Sequence, residues 1–197
     1  MKLLPLSDAA DVPAQERQGE ADKAAEVTHR DPYGAIAAHV ARTSRGERAA
    51  LARLRSDALQ PHELAALARA LLAAGLDVDT WRPETWQRWA MIAHGIALAG
   101  HDGKRRLGAQ LAEAGVSESR VTKLLTSRGD AFRQLLPRLI RLLASQGVAP
   151  NWHELGTLVL ADSSGDPSHD ERAEATRLRI AGTYFSRLAR NEPRQIV

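Results

Sequence analysis

Apolar residues recur at helical spacing along most of the chain after residue 31. In the segment 84–99, for example, Trp86, Trp89, Ala93 and Ile96 fall on one face of a helix. A repeat near 3.6 residues is typical of helices that pack one side against a core. No stretch shows the strict alternation of apolar and polar positions that marks a half-buried strand, so the pattern predicts an all-α protein.

Prolines, capping residues and glycines set the bounds of the predicted helices. These helices cover residues 32–40, 47–54, 62–74, 84–99, 106–114, 118–126, 130–145, 152–161 and 170–190, with Asp31 as the cap of the first. We predict that they form a helical bundle made of two small sub-bundles, one over residues 31–100 and one with a basic face over residues 104–190. Residues 1–30 are polar, acidic and poor in large apolar side chains, which predicts a mobile acidic tail.

The predicted helix 130–145 is divided into two chemically different halves. Leucines, Phe132 and Ile140 fall on one half of the helical wheel, whereas Arg133, Arg138 and Arg141 fall on the other. This helix therefore presents one face to the core and an arginine face away from it.

Charge is concentrated in the same part of the chain. The formal net charge is +3, yet residues 104–141 hold nine Lys and Arg against three Asp and Glu. Arginine outnumbers lysine by 23 to 4, and its planar fork suits phosphate oxygens. Such a concentration of positive charge is typical of a protein that binds nucleic acid. A solvated helix face gives the same composition.

No catalytic, metal or cofactor site is indicated by the sequence. There is no cysteine, no signal peptide pattern and no apolar run long enough for a membrane span; this favours a cytoplasmic protein. We expect that the seven histidines do not cluster, and no pair has the i, i+4 spacing of a helical metal site. We therefore expect a protein that is not an enzyme and that binds no metal or cofactor.

The stretch LAEAGVSESRVTKLL, residues 111–125, has the outline of a helix-turn-helix. Gly115 forms the turn, and Ser119 and Arg120 stand where a recognition helix meets base edges. However, Leu111 occupies the position where the motif needs a small side chain, because the two helices cross closely there. A sequence-specific transcriptional regulator is therefore the alternative hypothesis.

Four blocks, in order, give the sequence its family resemblance. They are RGERAALARLR (45–55), RRLGAQLAEAGVSESRVTKLLTSRGDAF (105–132), LLPRLIRLLASQGVAPNWHELGTLVL (135–160) and RIAGTYFSRL (179–188). Together they resemble the CasB family, the small subunit of the type I-E CRISPR Cascade complex. The chain departs from the family at Ser119-Arg120, where paired arginines are frequent, and in the acidic segment before Asp31.

The resemblance implies a non-catalytic helical subunit of an antiviral surveillance complex. Its partners would be other Cascade subunits, guide RNA, the target or displaced DNA strand, and further copies packed head to tail, with no membrane. By the resemblance, the residues most strongly expected to contact nucleic acid are Arg53, Arg120, Arg138 and Arg141. A second group is expected from weaker matches to the family blocks: Arg45, Arg48, Arg128 and Arg187. The lysines and arginines from Arg120 to Arg141 would form one basic stripe if their helices pack side by side, and this stripe adds Lys123 and Arg133 to the expected contacts.

Three hypotheses follow. The first is a Cascade small subunit that binds nucleic-acid backbone and stabilises the guide–target duplex and the displaced strand. The second is the helix-turn-helix regulator. The third is a helical scaffold that binds only protein and whose arginines are merely solvated.

Overall fold

Four helices begin at a proline, because proline fixes φ near the helical value and lacks only an N–H that would be unpaired at this position. The structure is a computed structural model that describes residues 31–55, 58–162 and 164–191. Its helices are α1 (Pro32–Arg42), α2 (Arg45–Leu51), α3 (Pro61–Ala73), α4 (Pro83–Ala99), α5 (Leu107–Glu113), α6 (Glu118–Thr126), α7 (Gly129–Ser145), α8 (Trp152–Ala161) and α9 (Pro167–Asn191). No strand occurs among the described residues, so the predicted all-α class is confirmed.

Side-chain caps explain where several helices begin. The Asp31 carboxylate accepts from the Tyr33 amide at the start of α1, and the Asn151 side chain accepts from the amides of His153 and Glu154 at the start of α8. Ser44 caps α2 through the Glu47 amide, which is why α2 begins at Arg45 and not at the predicted position 47. α9 likewise begins three residues earlier than predicted, at Pro167.

The turn between α5 and α6 follows the predicted glycine. Gly115 has a φ of 66°, a left-handed conformation that costs glycine nothing. The Val116 amide donates to the Leu111 carbonyl at 3.0 Å, closing the end of α5.

α4 and α8 lie at the centre of the packing. α4 contacts α1, α2, α3, α7 and α8, whereas α9 packs against α5, α6 and α8. The approach of α4 to α8 is close at Gly95, where a Cβ atom would collide with the Trp152 ring. Trp152 is fully buried, and its indole N–H donates to the Gly100 carbonyl at 2.9 Å.

A single buried carboxylate links α8 to two other helices, α5 and α9. Glu154, in α8, accepts from the Leu107 amide at 2.7 Å and from Arg106 at 3.1 Å, and it lies 3.3 Å from Arg179 of α9. Since Glu154 is 4% exposed, its oxygens need these donors. The described residues form one compact unit. The division into two sub-bundles stays a prediction, and the predicted mobile tail, residues 1–30, lies outside the described residues.

Candidate nucleic-acid interface

A groove of about 910 Å³ opens beside α4 and α7. The segment 52–55 after α2, the helices α4 and α7, and the end of α8 all contribute to it. Buried apolar side chains form part of its lining, namely Leu54, Met91, Phe132 and Val159. We call this feature the arginine groove because five arginines also line it: Arg53, Arg55, Arg88, Arg133 and Arg141.

The arginine groove brings together residues that are far apart in sequence. Arg53 comes from the first block of the family resemblance and Arg141 from the third, and both line the groove. Both side chains are exposed and make no ion pair with another described residue. Their full charges therefore face the groove, where an anion is the matching ligand.

Acidic groups offset part of the charge contributed by Arg133. Its guanidinium lies 3.4 Å from the Asp130 carboxylate and 3.3 Å from that of Asp162. Asp162 is 5% exposed and also accepts from the Gly129 amide at 2.7 Å, so it fixes the start of α7 as well as Arg133. The three groups form a structural ion-pair network at one end of the groove.

His94 adds a neutral polar group to the same surface. Burial lowers the pKa of His94, and the nearby positive charge of Arg141 lowers it further, while the carbonyls of Leu51 and Ala52 act in the opposite direction. The imidazole therefore stays uncharged at neutral pH, and the positive charge at this point of the groove is that of Arg141.

All ten predicted contact residues are exposed, but the structure does not bring all of them to the groove. Arg53, Arg133 and Arg141 line it; Arg128 lies in a separate depression with Glu174, to which it is paired at 2.7 Å. Arg48 donates to the carbonyls of Val40 and Ala41 and closes the end of α1. The others are exposed outside the groove and unpaired within the described part of the chain: Arg45, Arg120, Lys123, Arg138 and Arg187.

Two groups of residues were missed by the sequence analysis. Arg55 and Arg88 line the groove, and Arg88 escaped notice because α4 was interpreted only through its apolar face. The expectation that the histidines do not cluster is wrong for His101 and His153, whose rings lie 5.0 Å apart. They come from two different segments, so spacing along the chain carried no signal of their contact.

The α5–α6 segment does not have the close crossing of a helix-turn-helix. The tightest approach of α5 is to α9: a Cβ atom at Gly108 would collide with the Ile180 carbonyl and the Thr183 hydroxyl. Leu111 is fully buried in the core. Arg120 and Lys123 remain on the exposed side of α6.

The described part of the chain is thus an all-α protein with an arginine-lined groove. The model of the family described as CRISPR-associated protein Cse2 matches residues 47–185, and the chain belongs to that family. Cse2 and CasB are two names for the small subunit of the type I-E Cascade complex, so the resemblance is confirmed and the chain is a Cascade small subunit of CRISPR defence. Arg53 and Arg141 lie inside the matched region.

Comparisons with curated proteins and with solved structures found no match. None of the described helices combines the length and the apolar character needed to cross a membrane.

Proposed function

We propose that this subunit is non-catalytic and that it holds nucleic-acid backbone in the arginine groove, within the assembled cytoplasmic complex. The observation that carries the proposal is the convergence of Arg53 and Arg141, from two separate family blocks, on one groove. Phosphate contacts of this kind supply affinity without reading sequence.

The groove offers little aromatic surface for base stacking. Its phenyl ring, Phe132, is buried, with 2% exposure, so it presents little area to a base. The accessible lining combines apolar surface with guanidinium, amide and carboxylate groups, and the guanidiniums suit phosphate oxygens. We infer that the groove stabilises the guide–target duplex and the displaced DNA strand irrespective of their sequence.

The test is the salt dependence of target binding by the reconstituted complex. Arg53→Ala and Arg141→Ala should each lower the slope of log affinity against log salt by about 1, because each removes a phosphate contact. Arg172→Ala is the matched control: Arg172 is exposed on α9 and does not line the groove. An unchanged slope in the Arg53→Ala, Arg141→Ala double variant contradicts the proposal.

The same measurements separate the other hypotheses. A transcriptional regulator would prefer one palindromic duplex over unrelated DNA when the isolated chain is tested, and Arg120→Ala would remove that preference. A protein-only scaffold would leave target binding by the complex unchanged in every arginine variant while still being required for its assembly.

A further inference from the structure

Three ligand-bearing side chains meet on the face formed by the start of α1, the start of α8 and the segment between α4 and α5. Asp31 precedes α1, His101 follows α4, and His153 lies in the first turn of α8. Asp31 Oδ2 is 3.8 Å from His101 Nε2 and 3.5 Å from His153 Nε2, and all three candidate ligand atoms lie within 4.8 Å of one another. Neither histidine lines the arginine groove.

The distances between Asp31 Oδ2 and the two Nε2 atoms indicate that these atoms face a common point. Both N···O separations exceed the usual hydrogen-bond range of about 2.7–3.2 Å. Tetrahedral zinc bonds of about 2.0–2.2 Å place neighbouring ligand atoms roughly 3.3–3.6 Å apart. The observed separations are close to that spacing.

Neighbouring groups hold the three side chains in place. Asp31 Oδ1 accepts from the Tyr33 amide at 3.0 Å, which directs Oδ2 toward the histidines. The Tyr33 ring packs edge-on against His153, with the ring centroids 5.5 Å apart. His101 is 6% exposed, whereas Asp31 and His153 are 43% and 45% exposed, so one side of the cluster is open to water.

Two glycines leave the space around the ligand atoms free of side chains. A Cβ atom at Gly103 would lie 2.8 Å from His153 Nε2 and 3.1 Å from His101 Nε2, and one at Gly34 would collide with Asp31 Oδ2. Any larger residue at either position would occupy the space beside the three ligand atoms.

We propose that Asp31, His101 and His153 bind a divalent late first-row transition metal ion, with zinc the best match, and that water completes its coordination. Two imidazoles and one carboxylate form a ligand set that suits such ions. The site joins three segments of the fold, and its histidines lie outside the arginine groove.

The protonation of His101 fits this role. Burial is the main cause that lowers the pKa of His101, with Asp31 opposing it, so the ring is neutral at neutral pH, as a metal ligand must be. The Trp152 amide donates to His101 Nδ1 at 3.2 Å, so without a metal the ring proton is on Nε2 and points toward Asp31. Metal binding at Nε2 moves this proton to Nδ1, and the Pro150 carbonyl, which already interacts with the ring, is a backbone acceptor near it.

The test is titration of the full-length, untagged and metal-stripped protein with Zn²⁺ by calorimetry, and with Co²⁺ by its visible absorption. We expect saturable binding of one ion per chain and the intense bands of a tetrahedral cobalt site. At a hundredfold excess of free Zn²⁺ over its Kd, the Tm should rise by roughly 5–10 °C. His153→Ala and Asp31→Asn should weaken binding at least tenfold.

Two further variants make the result specific. His62→Ala removes an exposed histidine of α3 outside the cluster and should bind as the unchanged protein does. Gly103→Ala keeps every ligand but places a methyl group beside both Nε2 atoms, and should also weaken binding. The proposal is overturned if the wild-type protein shows no saturable binding of Zn²⁺ or Co²⁺. It is also overturned if metal binding survives in both the His153→Ala and Asp31→Asn variants.

Discussion

The ten predicted arginine and lysine contacts differ in what surrounds each charge. Arg128 and Arg133 are held by carboxylates at 2.7–3.4 Å, so a phosphate must compete with a partner already in place. Arg53 and Arg141 have no such partner among the described residues. Exposed ion pairs contribute only about 0–1 kcal/mol, yet that is enough to make the unpaired arginines the stronger phosphate ligands.

His94 makes the stability of the protein depend on pH. Because the folded state lowers the pKa of His94 below its usual value of 6.5, the unfolded chain takes up this proton more readily. The free energy of unfolding should therefore fall as the pH drops below 6.5, by at most about 1.4 kcal/mol per pH unit for this group. His94→Gln should flatten the acid side of the profile, as measured by urea unfolding at a series of pH values.

His62→Gln provides the control for this effect, since His62 is exposed on α3. Some slope should persist in His94→Gln, because burial also lowers the pKa of His101. An unchanged slope in His94→Gln would show that His94 does not carry the effect.

At the scale of the element, local rules predicted the helices well and their first residues less well. Prolines, caps and glycines along the chain identified each helix because these signals act within one turn. α2 and α9 begin earlier than predicted because Ser44 and Pro167 were assigned to loops, although each can start a helix. Which helices touch could not be predicted in this way, since the α5–α9 crossing depends on residues about seventy positions apart.

That crossing provides a paired test of packing. Gly108→Ala should destabilise the fold by about 2–3 kcal/mol, because the added methyl group meets the backbone of α9 at Ile180 and Tyr184. Gly182→Ala, on α9 itself, meets nothing within 4 Å and should stabilise the helix by roughly 0.5–1 kcal/mol. Urea unfolding midpoints measure both, and equal shifts in the two variants would contradict the close approach of α5 to α9.

At the scale of the whole molecule, the sequence identified arginines that line the groove but not the shape of the groove. Family blocks and the arginine pattern identified Arg53 and Arg141 individually. That both line one groove, together with Arg55 and Arg88, depends on the tertiary structure and could not be predicted from the sequence. The cluster of Asp31, His101 and His153 could not be predicted either, because its members come from three separate segments of the chain.

The last helix carries a candidate surface for contact between copies. Leu178 and Phe185, seven residues apart on α9, are 75% and 45% exposed and share one face of the helix. The head-to-tail packing implied by the family resemblance needs an apolar surface of this kind. Leu178→Asp and Phe185→Asp should each weaken association of the subunits tenfold or more.

The mass of the assembled complex reports the number of copies and so measures this association. Ser186→Asp adds the same charge at a neighbouring exposed position and should leave the number of copies unchanged. Unfolding midpoints should stay close to that of the unchanged protein, since the altered side chains are exposed. A full set of copies in both the Leu178→Asp and Phe185→Asp variants would assign the contact to another surface.

The central position of α4 also determines the order in which the chain can fold as it is made. The face of α4 around Gly95 is covered by α8, through Trp152, and α8 is translated only after α5, α6 and α7. At about 5–20 residues per second, the ribosome needs roughly 3–11 s to pass from Gly95 to Trp152. Through that interval the face of α4 around Gly95 lacks its cover, and this is when the nascent chain is most open to aggregation or to capture by a chaperone.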